Sequence, residues 1–403
     1  MNRIQREFVK VLSSSIRNQA VDSLDIRGEE WSLLIEEAES HKVSGLIYKG
    51  CRHMLEKGDI STDVLNQWRK SIILESFHQS EQVKKIVVIL NQLNEEKIPA
   101  IILKGMILRG LYPAPDLRTM NDVDILVHDI DLKKVEKLLL SEGYRKHSED
   151  GEKHDVYYKL GWPLIEVHWM LSHERTFKGC VDYEKELWNR VREVEILGVK
   201  TLTLGYNDFL LHLMIHMASH AASHGFGVRF LTDVILMIEK ESHFIDYEQF
   251  KLDIKQCEIE TFTGVMLKCC EDLLDFNIPQ ELGGISQVNL KYLDYLETEI
   301  LDSGVHGLRE KGNLIAKEMA YDRVEERLFK RFLKFIFPPI EKMSAKYDYA
   351  KKNILLIPIA WGHHLLAGIF HSDYKLKEKI NIFFFGMSIT KKKSRLIRWL
   401  ELE

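Results

Sequence analysis

Cysteine is scarce in this 403-residue chain and carries no pattern. The five thiols, Cys51, Cys180, Cys257, Cys269 and Cys270, are odd in number and show no C-x-x-C spacing, which fits neither a disulfide framework nor a zinc knuckle. Long apolar runs are missing too. Residues 354–370 form an uncharged stretch of 17, interrupted by Pro358, Gly362, His363 and His364 and short of the roughly 20 residues a spanning helix needs. This stretch reads as a buried helix, and no transmembrane segment is expected. Met1-Asn2-Arg3-Ile4-Gln5-Arg6-Glu7 lacks the apolar segment of a secretory signal, so the expected location is cytoplasmic. Charge of one sign is lacking as well. Lys and Arg number 56 against 61 Asp and Glu, a formal net charge of −5. Such a balance sets up no whole-molecule field for nucleic acid, which is not expected as a partner.

What remains is an ordinary globular composition, 45% hydrophobic and 29% charged, enough for a sizeable core and for two or three domains of roughly 100–200 residues. Residues 1–96 read as helical: Trp31, Leu34, Ile35 and Ala38, then Ile86, Val87, Leu90 and Leu93, recur at helical spacing. Gly58-Asp59 marks a turn, and Ser61-Thr62 a helix N-cap. The texture changes at Pro99. Ala100-Ile101-Ile102-Leu103 is a short buried strand, and a helix over 106–111 ends in the Pro113 and Pro115 loop. Strands are predicted over 123–127, 154–160 and 163–169. Between the first two, Leu132, Val135, Leu138 and Leu139 form an amphipathic helix stopped at Gly143. This pattern makes residues 97–205 a small α+β module with a mixed sheet. Residues 206–403 return to helix, most clearly over 208–220, 228–239, 261–275 and 289–301.

Chemistry concentrates in two segments of the module. Asp122 and Asp124 alternate with Val123, Ile125 and Val127, so a strand places both carboxylates on one face. Side-by-side carboxylates repel, and hard oxygen ligands suit Mg²⁺ carrying substrate phosphates. Taken alone, the pair also suits a turn cap before an edge strand. The upstream element favours the metal: Gly105 follows a strand and opens a helix, whose free N–H groups and positive end suit phosphate, with Lys104 adding a charge beside it. Arg118, four residues before Asp122, is a candidate triphosphate contact. Glu166 and His168 share a strand face, and Glu166 could act as base or complete the metal site. Asp155 is its rival. In the helical region His212, His216, His220 and His224 recur every four residues, with Arg229 and Asp233 on the next helix. They suit a polar helix face, a cleft wall or a metal site, though no H-E-x-x-H pattern is present.

The order Leu103-Lys104-Gly105, Tyr112-Pro113, Arg118 to Asp122-Val123-Asp124-Ile125-Leu126-Val127, Gly143-Tyr144 and Ile165-Glu166-Val167-His168-Trp169 resembles the uncharacterised bacterial nucleotidyltransferase family. This family is part of the polymerase-β-like superfamily, similar to the minimal and aminoglycoside nucleotidyltransferases. The resemblance runs from about Trp68 to at least Asp233. It implies a polymerase-β-like module and nucleotidyl transfer with Mg²⁺ (or Mn²⁺) and a nucleoside triphosphate, ATP foremost. Asp122, Asp124 and Glu166 match the metal carboxylates, while His216, His220, Arg229 and Asp233 would recognise acceptor or nucleotide. One departure stands out: Met106 replaces the usual second glycine or serine, and Lys104 precedes the glycine. The expected reaction moves a nucleoside monophosphate to an acceptor hydroxyl, with release of pyrophosphate; the sequence does not name the acceptor, for which a small molecule or a peptide natural product is a candidate. The alternative is a catalytically silent nucleotide- or metal-binding scaffold in a biosynthetic complex. The last 33 residues hold eight Lys/Arg against four Asp/Glu, including Lys391-Lys392-Lys393. They read as a solvated helix or as a peripheral membrane contact.

Overall fold

The computed structural model describes residues 1–55, 60–147, 153–171, 179–223, 225–304, 337, 339–340, 343, 345–370 and 394–402. Gly58-Asp59, His224 and Lys391-Lys392-Lys393 lie outside the described residues, and so does most of the basic C-terminal segment. Helices α1 (Arg3–Ile16), α2 (Glu30–Ser40), α3 (Ser44–Leu55) and α4 (Thr62–Glu95) come first. Asn2 caps α1 in a reciprocal box with Gln5, and Ser61 caps α4 by accepting from Val64 N.

The sheet has seven strands: β1 (Ala100–Ile102), β2 (Asp122–Val127), β3 (Arg145–Lys146), β4 (His154–Tyr158), β5 (Leu164–His168), β6 (Arg192–Ile196) and β7 (Val199–Thr203), in the order β3-β4-β5-β2-β1-β7-β6. It is mixed, as expected, with β2–β5 and β1–β7 parallel and the other pairs antiparallel. Its connections are α5 (Gly105–Leu108), α6 (Leu132–Ser141) and α7 (Cys180–Lys185). Gly143 ends α6 at φ +84°, which lets Tyr144 N–H reach back to Leu139 O at 3.0 Å. The β6–β7 hairpin was not expected. Its alternation over 193–203 is present in the sequence, but the turn is Leu197-Gly198, both with positive φ, where Asn-Gly is the familiar signal.

Period two divides the sheet's side chains between two cores. Val123, Ile125, Val127, Ile165 and Val167 pack with Val83, Ile86, Leu90 and Leu93 of α4 and with Val135, Leu138 and Leu139 of α6. Ile101 and Leu126 point the other way, into a larger core shared by α1–α3 and by α8 (Tyr206–Ser223), α9 (Val228–Glu241), α10 (Tyr247–Gln256), α11 (Glu260–Leu274) and α12 (Leu293–Ser303). The divisions at 96/97 and 205/206 are changes of texture in the sequence, and helices from before and after the module share the larger core. Helices from both ends of the chain interlock: Ser13 Oγ donates to Leu274 O at 2.9 Å, Gln5 Nε2 to Asp302 Oδ1 at 2.7 Å, and Arg17 pairs with Glu239 at 2.7 Å.

Two helix expectations are corrected. The helix expected over 289–301 begins at Leu293, after a turn in which Asn289 Oδ1 accepts from Lys291 N. The stretch 354–370 is helical over Ile357–Phe370, and its described side chains, which end at His363, are not those of a buried helix: Ile359 is 60% exposed, as is Leu355 just before the helix at 80%. The reason is that its buried Ala360 packs in a small cluster with Met343, Tyr347 and Ala350, separate from the main core. Among the described residues no helix is long and apolar enough to cross a membrane.

Candidate active site

Parallel pairing of β2 with β5 sets Asp124 beside Glu166, and Asp122 two residues along on the same face. The antiparallel neighbour β4 adds His154 opposite His168, again on that face. Asp155 pairs with Val167 on the opposite face and binds Lys146 at 2.8 Å, which separates it from the carboxylate row.

Asp124 is the buried centre of the row, 4% exposed. Burial alone would raise its pKa, but the Lys104 ammonium at 2.8 Å and His168 Nε2 at 3.0 Å hold it well below the usual carboxylate range. Asp122 opens onto the cleft. The protein mass around it and the Asp124 charge push its carboxyl upward, with Lys104 partly offsetting them. An environment that penalises a second negative charge is one that a divalent cation would relieve, so the donor set fits Mg²⁺ or Mn²⁺.

Lys104 holds φ +41° and ψ −113°, a backbone conformation that glycine favours, at the junction between β1 and α5. Gly105 follows because nothing larger fits: a Cβ there would lie 2.7 Å from Arg118 Nη1 and 3.3 Å from Met120 Cβ. The helix expected over 106–111 is a single turn, Gly105–Leu108, continued as a 3₁₀ turn, Arg109–Leu111. One turn supports little macrodipole, so positive charge at this tip comes chiefly from side chains. Arg229 is one of them: half-buried, it donates through Nη1 to Thr119 O at 3.0 Å, with no carboxylate within ion-pair distance among the described residues. Arg118 is engaged elsewhere. Its Nε and Nη2 bind Asp233 at 2.9 and 2.7 Å, and the Tyr112 hydroxyl donates to the same carboxylate at 2.7 Å. Burial opposes the Arg118 charge, but Asp233 more than restores it.

One cleft gathers Lys104, Gly105, Arg118, Asp122, Asp124, Glu166, His216, His220, Arg229 and Asp233. His168 is not on its wall; it stands buried behind Asp124. His216 and His220 touch through their Nε2 atoms at 3.2 Å, and burial together with the Lys104 charge pulls the His216 pKa well down. His212 lies deeper, buried, with neither ring nitrogen hydrogen-bonded. Of the three readings of this helix, the cleft wall is where His216 and His220 stand. Among the described residues these histidines form no metal-sized group. Among those described residues the group that does is His154, Glu166 and His168, with one ligand atom from each within 4.8 Å of the others.

Sequence reasoning missed the apolar wall residues Met120, Leu213 and Phe230, whose helical or loop positions carry no chemical signal. His154 was missed too, since only the β4–β5 register reveals it. Gln79 was also invisible: it clamps the Met120 backbone from α4, accepting from N at 3.0 Å and donating to O at 2.9 Å.

A mixed sheet that sets an acidic pair on a central strand, next to a strand–glycine–helix tip, is the fold of a nucleotidyltransferase. The chain belongs to the uncharacterised nucleotidyltransferase family, which matches residues 27–275, more than half its length. It is an enzyme of that class. Among solved structures it is similar to the antibiotic-resistance factor ANT(2'')-Ia, at 13% identity and TM-score 0.32 over 43% of this chain and 90% of that one. It is also similar to an antigenic nucleotidyltransferase-like protein from Paracoccidioides brasiliensis, at 21% identity and TM-score 0.30 over 40% of this chain and 77% of the other. No curated protein sequence matches the chain.

Proposed function

We propose that the protein moves a nucleoside monophosphate from a nucleoside triphosphate, ATP foremost, to a hydroxyl of an acceptor such as a small molecule or peptide, releasing pyrophosphate in the cytoplasm. The observation that carries this reading is Asp122 and Asp124 on one face of β2, opening into the cleft that also holds Lys104, Gly105 and Arg229. Asp122 and Asp124, with Glu166 beside them, would hold Mg²⁺, which when bound neutralises phosphate charge and orients the α-phosphorus. Lys104 and Arg229 supply fixed positive charge toward the phosphates. Gly105 leaves the room for their close approach. Arg118 is held by Asp233, so it shapes the floor and contributes its Nη1 side. Glu166 would take the acceptor proton as the new ester bond forms and the bond to pyrophosphate breaks. His216, His220 and Phe230 form the opposite wall, where acceptor or base would lie.

The test is pyrophosphate release from wild-type protein given Mg²⁺, each of the four common ribonucleoside triphosphates, and a metabolite extract as acceptor source. Asp122→Asn is expected to lower that release by about 10²-fold or more, with circular dichroism unchanged because it removes repulsion rather than volume. A second reading has its own observation: the Lys104 ammonium already neutralises Asp124 at 2.8 Å, as a metal would. Under it the chain binds nucleotide as a scaffold, and wild-type protein binds ATP in the same assay with no pyrophosphate released.

A further inference from the structure

The row of acids ends in two imidazoles. His168 Nε2 lies 3.4 Å from Glu166 Oε2, and His154 Nε2 lies 3.9 Å from the same oxygen. The two rings are tilted by 37° to each other with centroids 4.8 Å apart. At 3.9 Å the His154 contact is too long for a hydrogen bond, and the 3.4 Å approach is poor for one. The 3.4 Å approach equals the spacing of ligands around a shared ion and the 3.9 Å one exceeds it: bonds of about 2.0–2.1 Å in tetrahedral arrangement put ligand atoms about 3.4 Å apart. The three ligand atoms lie within 4.8 Å of one another, and binding an ion would draw them closer together. The backbone register enforces the grouping, with His154 opposite His168 on β4–β5 and Glu166 two residues before His168.

We propose that His154, Glu166 and His168 form a second metal site, distinct from the Asp122–Asp124 pair and selective for a borderline first-row divalent ion such as Zn²⁺. Two imidazoles and one carboxylate suit that class and disfavour Mg²⁺, which prefers oxygen ligands alone. On ligation His168 Nε2 would turn from Asp124 to the ion, and Asp124 keeps Lys104 as partner at 2.8 Å. Glu166 is the seam between the two sites. Glu166 is shared with the proposed transfer site, but metal uptake by these three ligands needs no nucleotide and is read without it.

The test uses the full chain stripped of metal by a chelator and titrated with Co²⁺ as the visible stand-in for Zn²⁺. Wild type is expected to take up a single Co²⁺ with a visible absorption band that Zn²⁺ abolishes and millimolar Mg²⁺ does not. His154→Gln should weaken uptake at least about tenfold, while Asp122→Asn should leave it within about twofold. His154→Cys should add thiolate-to-cobalt charge-transfer absorption, which arises only if position 154 touches the ion; this variant decides the matter should His154→Gln misfold. No uptake by wild type, equal uptake by His154→Gln, loss confined to Asp122→Asn, or no charge-transfer band from folded His154→Cys would each overturn the proposal. None of these readouts involves pyrophosphate, so a silent transfer assay leaves the metal result standing.

Discussion

Lys104 does two things that pull against each other. Its backbone occupies positive φ, which an L side chain resists by about 1 kcal/mol or more, while its ammonium neutralises the buried Asp124. A strained residue at a cleft is worth keeping only if its side chain is needed there. Lys104→Ala is therefore expected to weaken Mg·ATP binding about tenfold, or 1.4 kcal/mol, with adenosine affinity unchanged, as read by titration calorimetry. Lys104→Gly should lose the same affinity yet be about 1 kcal/mol more stable than Lys104→Ala in urea, because it relieves the backbone. Equal stability of the two would mean that the conformation carries no strain. The sequence marked Lys104 as a departure from the family pattern. Its grip on Asp124 could not be foreseen, because the two meet only when β1 and β2 pair.

At the scale of elements, the turn from β1 into α5 is tight because Arg118 presses against it. Gly105→Ala must displace a guanidinium clamped by Asp233, and a loss of about 1–3 kcal/mol is expected from urea midpoints. Gly110, where a Cβ would meet nothing within 4 Å, is the control and should tolerate alanine within about 0.5 kcal/mol. Helix α12 supplies a pH-dependent case. Glu297 has a buried Oε1 without a hydrogen-bond partner, and burial with the nearby Asp272 and Asp294 charges pushes its carboxyl up to about 7. A folded-state value above the unfolded one means its contribution is fully present below the unfolded pKa and is lost as pH rises through about 7. Glu297→Gln should accordingly stabilise the protein by about 1–2 kcal/mol more at pH 8 than at pH 5, measured by urea unfolding. No difference between the two pH values would show that the carboxyl reaches water in the fold.

At the scale of the whole molecule, helices from both ends of the chain close over one face of the sheet. Phe8 is fully buried in that shared core and stacks on His41 at 5.3 Å. Phe8→Ala is expected to lose about 3–5 kcal/mol and to keep a single unfolding transition, with tryptophan fluorescence and far-ultraviolet circular dichroism changing together. Two separated transitions would mean that the N-terminal helices fold apart from the rest. The cleft lies between the sheet face bearing Asp122 and Asp124 and the α8–α9 pair, so its opposite wall depends on this closure.

Local patterns alone determined the β2 alternation that sets Asp122 and Asp124 together, the glycine after β1, the Gly143 stop of α6 and the helical character of both flanks. Each is settled within a few residues by side-chain period or backbone freedom, which need no distant partner. Tertiary structure decided the rest: the capture of Arg118 by Asp233, the pairing of Asp124 with Lys104, the placing of His154 against His168, and the joining of the two chain ends in one core. Those depend on strand register and on burial between segments far apart in sequence, and neither is written in any local window.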